Sequence, residues 1–212
     1  MVATKASPAA YCIDSTEVTR AQYSAFLDTG PELNQPAPCD ANDSFVPTVK
    51  WPPLPPQKDL PVVGVDFCDA AAFCAWAGKR LCGAVGGGTI DTAGADDPSK
   101  GQWINACGDG GAQKYPYGNE YDSGACNGFD YGAGKPVKVQ NAGGCEGGIP
   151  GIFDMSGNVR EWEDACTGSD CRVRGGSFDS SGAADGELPC GGQMVLGRLE
   201  SDEFTGFRCC RD

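Results

Sequence analysis

The chain contains no histidine among its 212 residues. That excludes Ser-His-Asp and Cys-His nucleophilic machinery, histidine general-base catalysis, and iron centres of the two-histidine-one-carboxylate kind. Thiolate, carboxylate, lysine, tyrosine or a hard metal ion are what remain for any chemistry. Positive charge is also scarce, with 16 Lys plus Arg against 29 Asp plus Glu and a net charge of -13. Such a surface repels phosphate backbones and anionic lipids, so nucleic acid and membrane insertion are not expected. No apolar run approaches the roughly 20 residues of a membrane span, and Met1 to Ala10 has no apolar core of a signal peptide. Residues 1–10 read as a disordered or expression-derived N-terminus. Residues 11–212 read as one domain, long enough for one real core and short for two. We expect a mature chain whose targeting segment has been removed, and a lipid anchor on that segment would have gone with it.

What the chain has in excess is cysteine. Thirteen are present, dispersed instead of gathered into the paired short spacings of zinc ribbons, so disulfides are expected. Disulfides imply an oxidising compartment: secreted, periplasmic or cell-surface. Local spacing suggests Cys166 with Cys171, Cys126 with Cys145 and Cys68 with Cys82, while Cys12 with Cys210 would fasten the termini. Spacing alone does not fix connectivity. The odd total leaves one thiol over, and Cys39, in a proline-flanked loop, is the candidate.

Along the chain, STEVTRAQYSAFL predicts a first helix capped by Ser15 or Thr16, with Glu17 in its first turn and Val18, Tyr23, Phe26 and Leu27 on one face. Residues 28–60 carry eight of the fifteen prolines and predict an irregular connection. A second helix follows over DFCDAAAFCAWAGKRL, capped by Asp66 and burying Phe67, Ala70, Ala71, Cys74 and Leu81, with Trp76 expected in the core and Gly78 near the C-terminal end. Residues 83–101, glycine-rich and polar, read as a mobile surface insertion. Its glycines lack the Lys-Ser/Thr of a phosphate loop. Short strands, turns and loops are expected from Tyr115 onward.

Seven segments in fixed order carry a family resemblance. They are CIDSTEVTRAQYSAFL, PVVGVDFCDAAAFCAWAGKRL, QWINAC, YPYGN, GIFDMSGNVREW and finally RGGS (Arg174 to Ser177) followed by GFRC (Gly206 to Cys209). Together they resemble the formylglycine-generating enzyme, or sulfatase-modifying factor, family. The resemblance implies an α+β, compact, loop-rich variant of the C-type lectin fold, with two main helices, short antiparallel strands and disulfide staples. It also implies a copper site of two thiolates at set distances after RGGS, but those positions here are Ser180 and Asp185. Hydroxyl and carboxylate are hard donors that cannot replace thiolates for Cu(I). Copper is therefore not expected.

The same resemblance implies bridges Cys74 to Cys209 and Cys107 to Cys190, and calcium as the cofactor. The calcium ligands implied are the side chains of Asp154 and Glu161 with the carbonyls of Gly157 and Val159. The alternative is a capped turn with Asp154 on backbone N–H groups and Glu161 paired with an arginine. A second implied set is Asn127 and Gly128, completed by Asp130 and Tyr131. Arg160 stands where the family usually has Trp, either lining the ligand groove or facing water, the second being favoured. With Ser180 and Asp185 it marks the candidate ligand surface. The leading reading is a secreted, calcium-binding, non-catalytic domain that recognises a protein, peptide or glycan or takes part in assembly. The alternatives are a copper oxidase with relocated cysteines, and a variable binding protein of the diversity-generating-retroelement type.

Overall fold

The computed structural model describes residues 1–6, 9–182 and 186–212. In chain order its strands are β1 (Val2–Ala3), β2 (Cys12–Ile13), β3 (Arg80–Leu81), β4 (Arg160–Thr167), β5 (Asp170–Arg174), β6 (Gln193–Gly197), β7 (Thr205–Gly206) and β8 (Cys209–Arg211). Its α-helices are α1 (Arg20–Asp28), α2 (Phe67–Trp76) and the short α3 (Gln102–Cys107). Two four-stranded sheets form, ordered β1-β2-β8-β3 and β6-β5-β4-β7. All pairings are antiparallel except β4 with β7. The first ten residues, expected to be disordered, instead contribute β1, and the Thr4 N–H donates to the Tyr11 carbonyl at 2.8 Å.

α1 begins later than expected. Val18 donates its N–H to Phe207 O and accepts from Val62 N–H, both at 2.9 Å, so residues before Thr19 are held extended by their neighbours. Thr19 is the cap, in a reciprocal box with Gln22. α2 starts at Asp66 as its sequence predicts, with Asp69 completing the box. It buries Phe67, Ala70, Phe73 and Cys74 against Tyr23 and Phe26 of α1 and against Phe207. Trp76, expected in the core, is 46% exposed, although its ring lies 5.6 Å from those of both Phe26 and Phe73. A second core gathers Ile13, Trp103, Ile152 and Met155.

Six disulfides staple these cores: Cys39–Cys68, Cys74–Cys209, Cys82–Cys210, Cys107–Cys190, Cys126–Cys145 and Cys166–Cys171. Cys68–Cys82 and Cys12–Cys210 do not form, and the unbonded cysteine is Cys12, not Cys39. Cys39 instead ties the proline-rich connection to the start of α2.

The 83–101 insertion is packed onto the protein. Ile90 and Ala95 bury against Ala165, and the Asp96 carboxylate accepts from both Arg172 and Arg174 of β5. Two cationic side chains at 7% and 0% exposure require such a counter-charge. That requirement is the physical reason the segment lies against the sheet.

Candidate functional site

The GIFDMSGN segment enters β4 through three left-handed residues, Asp154 (φ 59°), Gly157 (φ 73°) and Asn158 (φ 61°). Gly157 is required twice over. Its φ favours glycine, and a Cβ there would stand 2.5 Å from Asn127 O. The turn is locked by Gly157 N–H to Gly175 O and Asn158 N–H to Asn127 O, each 2.7 Å. It therefore brings RGGS, the Asn127 loop and β4 together.

Behind this turn lies a buried ionic network. Both oxygens of Glu161 are occupied: Oε2 accepts from Trp103 Nε1 at 2.8 Å and Arg208 Nε at 2.6 Å, and Oε1 accepts from Arg208 Nη2 at 2.7 Å. Burial works against the charge of Arg208, but Glu161 outweighs it and holds the guanidinium pKa above its ordinary value. Asp154 accepts the Gln140 N–H on Oδ2 at 2.6 Å, and its Oδ1 has no partner. Burial, reinforced by the Glu161 charge, pushes Asp154 up to about 6, against the lowering effects of that N–H and of Arg208. Glu17, expected in the first turn of the helix, precedes it and is 1% exposed at the centre of this network. Burial first, then the charges of Asp154 and Glu161, raise its pKa well above the usual carboxylate range.

This geometry bears on the calcium ligands implied by the resemblance. Asp154 offers a free oxygen, while three N–H donors take three of the roughly four lone-pair positions of Glu161. The second implied set is Asn127, Gly128, Asp130 and Tyr131. Gly128 O is used by the Tyr131 N–H, and Asp130, on the surface, accepts the Tyr121 hydroxyl at 2.7 Å, while Asn127 is buried. Among the described residues, no three acidic, histidine or cysteine side chains gather as a metal cluster.

On the solvent side of RGGS a small pocket of about 150 Å³ is lined by Arg160, Ser177, Asp179, Ser180, Glu187 and Phe204. Beside it, Gly176 has a φ of 66°, and a Cβ there would stand 2.9 Å from Leu188 Cδ2. Ser180, one of the two positions implied for copper thiolates, is 4% exposed. Its Oγ accepts the Ser177 N–H at 3.0 Å and donates to Glu187 Oε2 at 2.6 Å. The other, Asp185, lies outside the described residues. Cys190 is bonded to Cys107, and Cys12 belongs to the opposite sheet.

Arg160 lines the pocket and does not simply face water. It pairs with Asp202 at 3.0 Å and lies over the Phe204 ring at 5.4 Å. Phe204 in turn stacks on Phe178 at 5.3 Å. Phe129, 61% exposed, borders the same surface through its N–H bond to Ser180 O. Glu187 and Phe204 of the pocket, and Asp202 that pairs with Arg160, carry no motif and were not legible from the sequence. Glu17 could have been suspected only from a carboxylate followed by Val18 just ahead of the first apolar stripe.

The fold and this turn define a sulfatase-modifying-factor domain. The model for the sulfatase-modifying factor enzyme 1-like domain matches residues 2–212, and the chain belongs to that family. Among its relatives, mouse inactive C-alpha-formylglycine-generating enzyme 2 is 30% identical over 170 residues, covering 72% of this chain and 49% of that protein. Mouse formylglycine-generating enzyme is 26% identical over 185 residues, covering 74% and 45%. The chain thus spans about half the length of the curated relatives it matches. Treponema denticola variable protein 1 superposes with a TM-score of 0.60 at 22% identity, covering 95% of this chain and 84% of that one, which shows the shared fold. The domain is α+β and loop-rich, with six disulfides of the kind that persist in oxidising compartments. Among the described residues no helix is long and apolar enough to cross a membrane.

Proposed function

We propose that this chain is a non-catalytic sulfatase-modifying-factor-like domain, working in an extracytoplasmic oxidising compartment, that recognises a protein or peptide ligand at the Arg160–Ser180–Phe204 pocket. One observation carries the reading. Where the family's resemblance implies a soft thiolate for copper, Ser180 presents a hydroxyl already engaged by the Ser177 N–H and the Glu187 carboxylate. A copper oxidase would need two thiols at one metal, and twelve of thirteen cysteines are in disulfides. The inactive naming of a 30% identical relative supports the same conclusion.

The pocket has the components of recognition. Arg160 offers a positive charge and Asp179 and Glu187 two negative ones, Phe204 offers an aromatic ring, and the partly exposed Met194 sits beside Arg160 with its sulfur 3.1 Å from Nη1. Aromatic and arginine anchors beside polar groups are the composition that protein interfaces favour.

Two measurements test the reading. Titrating the native, disulfide-intact chain with Cu(I) is expected to show no stoichiometric thiolate binding, and incubation with cysteine-containing peptides no oxidation to formylglycine. Tight one-to-one copper uptake with turnover would refute it. A peptide-library screen should then yield binders whose affinity falls on Arg160→Ala, and binders indifferent to that change would move the site elsewhere.

A further inference from the structure

We propose that the outer edge of β6 is a self-association surface, on which a second copy of this chain adds its own β6 antiparallel about a two-fold axis through Met194. The two sheets have four edge strands, β1, β3, β6 and β7. Three of them are two residues long, and shortness of this kind blunts an edge by leaving little to template. β6 is five residues long, and among the described residues no strand lies against its outer side. Its sequence QMVLG holds no charge and no proline, the usual guards of a bare edge. Met194 and Val195 are 36% and 48% exposed there.

The register fixes which backbone groups are open. β5 opposes β6 with Cys171 across from Leu196 and Val173 across from Met194, and just beyond the strands the Arg198 N–H donates to Ser169 O at 2.7 Å. Bonded pairs alternate in an antiparallel ladder, so Leu196 and Met194 spend their N–H and C=O groups on β5, while Val195 and Gln193 turn theirs outward. Gly197 is already capped, its N–H donating to Glu200 Oε2 at 2.9 Å and its carbonyl accepting the Glu200 N–H at 2.8 Å. The open stretch is therefore the N–H and C=O of Gln193 and of Val195.

That stretch is complementary to itself. Pairing Gln193 with Val195 of a second copy, and Val195 with its Gln193, satisfies all of these groups on both chains in four hydrogen bonds. It sets Met194 opposite its own counterpart, at the close spacing where flexible thioethers pack. Across from Leu196 and Gly197 stand Gly192 and Gly191, which have no side chain to obstruct the approach. Residues 191–197 carry no charge, so no like charges meet at the seam of two chains that each carry -13. A foreign strand could use the same backbone groups, but the two-fold matches neutral segments residue for residue. The repulsion that remains is long-range and screened by salt, so ionic strength should tighten the pair. The inference does not depend on what the Arg160 pocket binds.

The test uses the full, disulfide-intact chain. Sedimentation velocity is expected to show a monomer–dimer equilibrium that moves toward dimer with protein concentration and with added sodium chloride. Hydrogen exchange should slow at the Gln193 and Val195 amides as dimer forms, while those of Met194 and Leu196, bonded to β5, stay protected throughout. Val195→Pro removes the outward N–H and spares the β5 ladder, since proline is tolerated at a bare edge. Losing two of the four bonds is expected to raise the dissociation constant by about tenfold or more. Should that variant fail to fold, the wild-type exchange pattern decides. A chain that stays monomeric at millimolar concentration in high salt overturns the proposal and leaves the edge to a foreign strand. A dimer whose 193 and 195 amides exchange as in the monomer, or one indifferent to Val195→Pro, overturns it as well.

Discussion

Asp96→Asn is the perturbation that separates a packed insertion from a loose one. Arg172 and Arg174 are 7% and 0% exposed, and their counter-charges are Asp96 and Glu163, the latter 2.6 Å from Arg174 Nε. Replacing Asp96 by its amide leaves one buried positive charge uncompensated. Removing one partner of a fully buried pair costs about 3 to 5 kcal/mol. The Asp96 side chain is 53% exposed, however, so water partly replaces it and the cost moves toward that of surface pairs. We expect about 1 to 3 kcal/mol, which for a domain of this size lowers the midpoint by about 2 to 12 °C. Differential scanning calorimetry measures the shift, and hydrogen exchange should rise selectively in residues 89–96. Burial opposes the charge on Asp96, but Arg174 and Arg172 together hold its carboxyl below the usual range. The native pKa being lower than the unfolded one, this stabilisation is full above the unfolded value and disappears as pH falls through the folded value. Wild type and variant should therefore converge in acid. A variant that unfolds within 1 °C of wild type at neutral pH, with unchanged exchange in 89–96, would refute the clamp.

Burial, then the charge of Asp66, pushes Asp69 up to about 7 against the lowering effect of its Asn42 bond. The native state therefore holds the extra proton between the unfolded value near 4 and about 7, so the Asp69 contribution falls as pH rises across that window. Asp69→Asn should flatten this slope, whose full amplitude is on the order of 4 kcal/mol, in denaturant titrations from pH 4 to 8. Removing Cys107–Cys190, which closes a loop with a sequence separation of 83, is expected to cost about 4.5 kcal/mol in the chain-entropy model. A loss below about 1 kcal/mol on paired alanine substitution would count against that model here. Native mass spectrometry after alkylation should add one label, at Cys12, and Cys12→Ser should move the midpoint by no more than about 1 °C. Labels at Cys39 or Cys190 would contradict the bridge map.

What the sequence disclosed and what it hid divide along a physical line. The Asp66 cap, the buried face of α2 and the local loop at Cys166–Cys171 depend on residues a few positions apart, and all were legible. The pairing of Cys82 with Cys210 and the unbonded state of Cys12 depend on strand parity. Adjacent residues of β8 point to opposite faces, so Cys209 enters the helix-side core with Cys74 while Cys210 enters the Trp103 core with Cys82. Cys12 stands opposite Arg211, and Ile13 opposite Cys210. Cys12 therefore points away from Cys210, and a bridge between the termini was geometrically closed to it. No count of intervening residues carries that information, because it requires knowing that β2 and β8 are neighbours and in which register.

The same distinction governs the site. Asp154 and Glu161 stand out because they belong to one short motif, yet that motif does not say which other side chains reach them. Arg208 comes from β7–β8 and Trp103 from α3, and together they withdraw Glu161 into an ion pair. Glu17, from the segment before α1, arrives on the far side only because Val18 pairs with Phe207 and holds the chain extended. Whether a carboxylate is available to a ligand or already spent on an arginine is thus decided by three distant segments meeting at one turn. A motif can nominate Asp154 and Glu161 together, but only the packing around them separates the two.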